Sequence, residues 1–289
     1  MTMMLIDRKH ETALLIKLLK RQTPEQIMNI CESGGKGKSF LLRSFQEICR
    51  ESHTPCAVIE FTSDQPLTPL NCMRDLVDRF GEEGFPEFSK QDDEFHRSYP
   101  AVQIGGGEGK TEVSLGGSFE ESEISSIAGR DNIEIGSIQV AHQEMSRERK
   151  EHVERNLTKI FKKELLALCA HQPAMIIFDA YEHAPRITGE WIQKSILNAL
   201  RDHFLPNLLI VLAGRPEGTR PKFAPSGDWN KVVTNLTSLS EFAVDDTRLY
   251  FQEYRGIQLE QSDLEAYHRV CKNSPLIMAQ IADLLDIEQ

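Results

Sequence analysis

Five short apolar runs punctuate the chain, and between them the hydrophobic positions fall at helical spacing. The runs are Ile27–Cys31, Pro55–Phe61, Ala174–Phe178, Asn207–Ala213 and Val232–Leu236. Each is five to seven residues long and nearly continuous in apolar side chains. That is the signature of a strand buried on both faces, as in a parallel sheet, rather than of a half-solvated antiparallel strand. Before the first run, Leu14, Leu15, Leu18 and Leu19 share one face of a predicted helix over 10–20. Helices are further predicted from Phe40 onward, from about Leu70 to Phe80 with Gly81 as the stop, over about 140–171, and over 190–204. The 140–171 helix begins with a charge run, Arg147 to Glu151, read as a solvated face, and then presents Leu157, Ile160, Phe161, Leu165, Leu166 and Leu168. Strand and helix in alternation predict an α/β fold: a parallel sheet flanked by helices.

The tail is different. Asp245–Tyr254 reads as a helix stopped at Gly256, Ser262 with Glu265 three on reads as a capping box opening a second, and Ser274-Pro275 opens a third. Three short helices after residue 238 predict a small helical subdomain, 239–289, appended to a sheet domain over 1–238. Residues 82–140 break the alternation. They are rich in Gly, Ser and Glu with isolated isoleucines, and predict a long surface insertion, part flexible and part hairpin. Within it Gly105–Thr111 imitates a phosphate-loop ending, but alternating residues follow where a helix would be needed, so no second nucleotide site is expected there.

Composition narrows the class. The chain has 289 residues, 40% hydrophobic and 27% charged, with a net charge of −11. This is a globular balance, and the negative charge argues against free nucleic acid or an anionic membrane as a general partner. Six cysteines are scattered with no C-x-x-C and no Cys/His grouping at metal-ligand spacing, as expected of a reducing cytosol. The apolar start, Met1–Ile6, is too short for a signal peptide or a span. A cytoplasmic protein is expected.

The chemistry concentrates after the first strand, at Glu32-Ser33-Gly34-Gly35-Lys36-Gly37-Lys38-Ser39. Strand, glycine loop and helix in this order build a P-loop: inward backbone N–H groups and a helix N-terminus cradle phosphates. Lys38 is then the residue that reaches the β- and γ-phosphates, and Ser39 the one whose hydroxyl holds Mg²⁺, with ATP or ADP as the ligand. Gly34, Gly35 and Gly37 keep the pattern; its first glycine is replaced by Glu32, which adds bulk and negative charge. The alternative is a glycine-rich turn that binds nothing. About 135 residues on, four apolar residues deliver Asp179 at a strand end, the placing of a Walker B carboxylate that orders the Mg²⁺ water shell, with Glu182 nearby to orient an attacking water. At the tip of the fourth run Arg215 is suited to the γ-phosphate end of a nucleotide.

In this order the motifs resemble the STAND class of P-loop ATPases, the AAA+-related group that includes the NACHT and NB-ARC proteins. Ile6–Glu11, including Arg8, looks like the family's opening motif near the adenine; Glu32–Ser39 matches its G-x-G-G-x-G-K-[ST] loop without the first glycine. Phe178–His183 matches its Walker B with His183 in place of the second acid, and Leu212–Pro216 is similar to its sensor strand ending in Arg. Asn273–Leu276 resembles its G-x-P turn, which implies that Pro275 lies against the adenine or ribose. The resemblance implies catalytic roles for Asp179, Glu182 and Arg215, nucleotide contacts from Arg8, Gly34, Gly35, Gly37, Lys38, Ser39 and Pro275, and Mg²⁺ on Ser39 and Asp179. It implies an ATP- or ADP-driven switch that changes conformation or forms a homo-oligomer or protein complex, in signalling or bacterial antiviral defence, with hydrolysis slow if present. The resemblance implies the family's nucleotide-binding core without the winged helix and sensor repeats that usually follow it and without an effector domain before the loop. The alternative is a degenerate STAND-fold scaffold or adaptor that binds a protein partner without ATP turnover. A metabolic kinase would need a substrate pocket and lid arginines that the sequence does not offer.

Overall fold

In the computed structural model, the structure describes residues 8–62, 67–97, 147–218, 223, 227–240, 242–271 and 274–287. All five apolar runs are strands: β1 (Ile27–Cys31), β2 (Cys56–Glu60), β3 (Ala174–Asp179), β4 (Leu208–Gly214) and β5 (Val233–Leu236). They form one parallel sheet in the order β2-β3-β4-β1-β5. The expected α/β architecture, a parallel sheet flanked by helices with a helical C-terminal part, is what the chain adopts.

Strand alternation sorts the core onto two faces. Met28, Ile30, Met175, Ile177, Leu209, Val211 and Ala213 join one buried cluster with Leu15 and Leu18 of α1 (Lys9–Leu19) and Leu41 and Phe45 of α2 (Lys38–Glu51). The residues between them, among them Ile176, Phe178, Ile210 and Leu212, point to the opposite face and are equally buried. There Phe178 stacks on Phe61 at 6.1 Å between ring centroids, and Tyr181 meets both rings edge-on. Every residue of β4 is buried, as a central parallel strand requires.

The order of the strands fixes where a ligand can bind. β1 and β4 are neighbours, but the chain leaves β1 toward β2 and leaves β4 toward β5, in opposite directions along the sheet. Right-handed crossovers therefore carry the two connections to opposite faces, and a crevice opens at the carboxyl ends of β1 and β4. The glycine loop follows β1, and Arg215 follows β4.

The tail helices run Val244–Leu249, continued by a π-helical turn to Tyr254, then Gln261–Cys271 and Pro275–Ile287. They bury a small core of their own: Phe242, Tyr250, Phe251, Ile257, Cys271, Met278 and Ala282. One detail departs from expectation. The second tail helix begins at Gln261, so Ser262 lies inside the first turn and is not its cap, and Glu265 accepts a hydrogen bond from the Gln261 amide instead (2.7 Å). By contrast Ser274 does cap the third, its hydroxyl accepting from the Ile277 N–H at 3.3 Å.

The chain divides into two compact units, residues 1–85 with 161–289, and residues 86–160. The start of the expected insertion is ordered helix: a 3₁₀ turn over Glu82–Gly84 and an α-helix over Pro86–Arg97. Its charged composition hides the helix, but Pro86 suits a first helical position and Phe88 and Phe95 are seven residues apart. The hairpin and the Gly105–Thr111 imitation fall outside the described residues. The long helix is described from Arg147 to Cys169, and the 190–204 helix starts earlier, at Arg186, with a π-helical stretch over Gln193–Leu197. Among the described residues, no helix is long and apolar enough to cross a membrane.

Candidate functional site

The loop between β1 and α2 folds as a phosphate-binding loop does. Gly35 and Gly37 have φ of 74° and 83°, left-handed values that a side chain disfavours. Gly37 has a second reason to be glycine, since a Cβ there would sit 2.7 Å from Cγ of Pro275. α2 opens at Lys38, so its free N–H groups and the positive end of its dipole face the loop.

Lys38 arches back over this loop, its ammonium donating to the carbonyls of Glu32 (2.6 Å) and Ser33 (2.8 Å). Burial pulls its pKa below the ordinary lysine value, while the carboxylates of Glu182, Asp179 and Glu32 pull it up and the Arg215 guanidinium pushes it down. A cation that is half-buried and borrowing weak carbonyl acceptors is well prepared to exchange them for phosphate oxygens.

Asp179 ends β3 beside it. Its Oδ2 accepts from the Ser39 hydroxyl at 3.2 Å, and its Oδ1 from the N–H of Ala180 at 2.7 Å. Burial raises the Asp179 pKa, and those two hydrogen bonds oppose the rise. The residues fit Mg²⁺: a hydroxyl oxygen and a carboxylate oxygen from two different elements converge at one point beside Lys38, the donor types this hard cation takes. Among the described residues, no group of three or more His, Cys, Asp or Glu gathers at metal-binding distance.

After Asp179 the chain turns sharply. Ala180 sits in the left-handed region (φ 50°, ψ 40°) and a 3₁₀ turn follows over Tyr181–His183. The turn brings Glu182 to the end of β4, with its side chain only 9% exposed. There Glu182 Oε2 accepts from the Arg215 N–H (3.0 Å), and Oε1 lies 3.5 Å from the Arg215 guanidinium Nε. A Cβ on Gly214 would fall 2.5 Å from Oε2, so the glycine is what admits the carboxylate. His183 reaches within 3.9 Å of Oε1 from a more exposed position. The Arg215 guanidinium lies against the glycine loop, 3.4 Å from where a Cβ on Gly34 would be.

Arg8 also reaches the loop and is buried. It donates to the carbonyls of Lys36 (2.8 Å) and Ser240, and its guanidinium stacks 4.7 Å over the Phe242 ring. Pro275 and Leu276, at the head of the last helix, pack on Gly37 and Gly35, while the Ser274 hydroxyl donates to the Gly35 carbonyl (3.3 Å). The structure therefore gathers Gly34, Gly35, Gly37, Lys38, Ser39, Asp179, Glu182 and Arg215 at one crevice, with Arg8 and Pro275 on the loop's outer flank.

The sequence places Glu11 only within the opening motif and marks out neither Leu239 nor Ser240. Glu11 is buried and accepts from the Ser240 N–H (2.7 Å) and hydroxyl (2.9 Å), tying the segment after β5 to α1. A charged residue on an otherwise apolar helix face was the available signal. The Glu32 carboxylate is engaged through both oxygens. Its Oε1 accepts from the Ser33 N–H (2.8 Å) and hydroxyl (3.0 Å), and its Oε2 from the Leu239 N–H (3.3 Å).

The sequence matches no protein-family model and no curated protein. Among solved structures the chain is similar to Cdc6p from Pyrobaculum aerophilum, at 10% identity and a TM-score of 0.45 over 95% of this chain and 58% of that one. It is also similar to the Aeropyrum pernix ORC2 protein, solved in ADPNP–ADP complexes, at 12% identity and a TM-score of 0.42 over 89% and 54%. The chain thus spans a little over half the length of each, and overlaps this loose assign it to neither.

Proposed function

We propose that the protein is an ATP- or ADP-binding molecular switch of the STAND type. Nucleotide binding at the Gly34–Ser39 loop changes the setting of the tail helices, and a homo-oligomer or a protein partner reads the change in signalling or bacterial defence. The observation that carries this reading is the seat of Ser274, Pro275 and Leu276 on Gly35 and Gly37, because a ligand in the loop then bears directly on the tail. In this reading Lys38 binds the β- and γ-phosphates, Ser39 and Asp179 hold Mg²⁺, and Arg215 meets the γ-phosphate. Arg8 and Pro275 lie toward the nucleoside. Mg²⁺ supplies charge neutralisation of the phosphates.

Hydrolysis is slow in this proposal. Glu182 has to orient water, yet its carboxylate is engaged by the N–H and guanidinium of Arg215. Turnover requires Arg215 to swing onto the γ-phosphate and release it. Glu182→Gln is expected to hold ATP where the native protein accumulates ADP. The test is acid release of the nucleotide that co-purifies, identified by chromatography, beside light scattering of each protein with and without ATP·Mg²⁺. Bound nucleotide and a nucleotide-dependent change in mass support the switch. A protein that carries none and ignores added ATP·Mg²⁺ is a scaffold instead.

The buried carboxylate gives the site a pH dependence. Burial favours the protonated form of Asp179, whereas a cation requires the ionised form, so protons compete with Mg²⁺. At sub-saturating Mg²⁺, the Mg²⁺ enhancement of ATP binding is expected to fade on acidification with a midpoint above the ordinary aspartate value of about 3.9. In Asp179→Asn the enhancement and its pH dependence should both vanish. A midpoint at or below the ordinary value would contradict the role given to this residue.

A further inference from the structure

Glu32 stands where the loop pattern has glycine, and each of its polar groups is engaged. Its N–H donates to the Gly214 carbonyl of β4 (3.2 Å), and its own carbonyl accepts from Lys38 (2.6 Å). One carboxylate oxygen is held by Ser33; the other reaches Leu239, 207 residues away. Leu239 and Ser240 are the link between β5 and the tail helices. The same link is held by Glu11 through Ser240, and by Arg8, which also grips the Lys36 carbonyl of the loop. A glycine at position 32 would leave the Leu239 N–H without this acceptor.

We propose that Glu32 is a positioning residue that makes phosphate charge in the loop felt at the Leu239–Ser240 link, and through it by the tail helices. The inference rests on the nucleotide-switch reading and names its regulation. Two changes act on Glu32 together when a nucleoside triphosphate binds. Lys38 leaves the Glu32 carbonyl for phosphate oxygens, because charge-assisted hydrogen bonds outcompete those to neutral carbonyls. The anion also brings negative charge beside a carboxylate, and like charges in a partly buried site repel strongly. The contact to Leu239 is the longest Glu32 makes, 3.3 Å against 2.8 Å and 3.0 Å to Ser33, and it yields first. By linkage, whatever holds the link closed opposes the phosphates, and the phosphates loosen the link.

The test is amide hydrogen exchange at Leu239 with and without ATP·Mg²⁺, beside calorimetric ATP affinity, in the native protein, Glu32→Gln and Glu32→Gly. In the native protein, ATP·Mg²⁺ is expected to speed exchange at Leu239 about tenfold, a moderate coupling between linked sites. Glu32→Gln keeps an acceptor oxygen and loses the charge, so it should bind ATP about five- to tenfold tighter while exchange at Leu239 stays slow on binding. Glu32→Gly should exchange fast at Leu239 in both states. A native protein that binds ATP·Mg²⁺ with no change at Leu239 overturns the coupling and leaves the nucleotide site standing. A Glu32→Gln protein that binds no tighter, or still shows the full acceleration, also overturns it. If the native protein binds no nucleotide, the switch reading and this inference fall together.

Discussion

Lys38→Ala is expected to lose ATP and ADP binding by about 10²–10³-fold, equivalent to about 3–4 kcal/mol, the worth of two or so hydrogen bonds to charged groups. The geometry explains why the loss falls on the ligand and not on the fold. The Lys38 ammonium bonds to two carbonyls of its own loop, and burial already lowers its pKa, so deleting it removes two modest contacts and relieves a desolvated charge. The stability of the protein without nucleotide should change by no more than about 1 kcal/mol, because the two terms oppose each other. Calorimetric titration with ATP·Mg²⁺ and a thermal melt without it separate the two effects. Binding within a few-fold of the native protein would remove the phosphate loop from the functional reading. A folded variant without binding would support it, and any ATP-dependent assembly should disappear with it.

Phe178→Ala carries the second large effect, and it falls on stability. Phe178 is fully buried, stacks on Phe61 and meets Tyr181, at the last position of β3 before Asp179. Truncating such a ring removes its transfer free energy and leaves a cavity that a rigid sheet cannot collapse, a cost of about 3–5 kcal/mol. At roughly 2–4 °C per kcal/mol for a domain of about 150–250 residues, the melting temperature should fall by about 6–20 °C. Tyr181→Phe is the control. The hydroxyl of Tyr181 reaches its acceptor, the Gly189 carbonyl, only at 3.5 Å, so its loss should cost little. Equal melting temperatures for the two variants would show that this aromatic cluster does not hold the end of β3.

The parts of the site that were legible in the sequence are those written in local chemistry. Gly34, Gly35 and Gly37 announce a turn, the last two at left-handed φ values that side chains disfavour, and Lys38 and Ser39 open the next helix within two residues of it. Ile176, Ile177 and Phe178 running into Asp179 announce a buried strand with a carboxylate at its end. Such patterns survive in one sequence because the physics behind them acts over a few residues: φ restriction, strand burial and helix capping. The Pro86–Arg97 helix was hidden because its charged residues outnumber its apolar ones, and Ser262 was misassigned because a capping box differs by one position from an ordinary first turn.

What the chain could not announce is who meets whom across long separations. Glu32 shows in the sequence only as added bulk and negative charge; the partners of that charge, Ser33 and Leu239, appear only in the structure. Glu182 stands in the sequence as a residue to orient water; its contact with the Arg215 N–H, admitted by Gly214, appears only in the structure. The roles of Glu11 and Ser240 exist only because α1 and the segment after β5 pack side by side. The sequence alone determined the strands, the phosphate loop and the carboxylate pair, because backbone restriction and burial periodicity are local. The packing of the tail against the loop was decided only in the tertiary structure, where residues over 200 positions apart share hydrogen bonds.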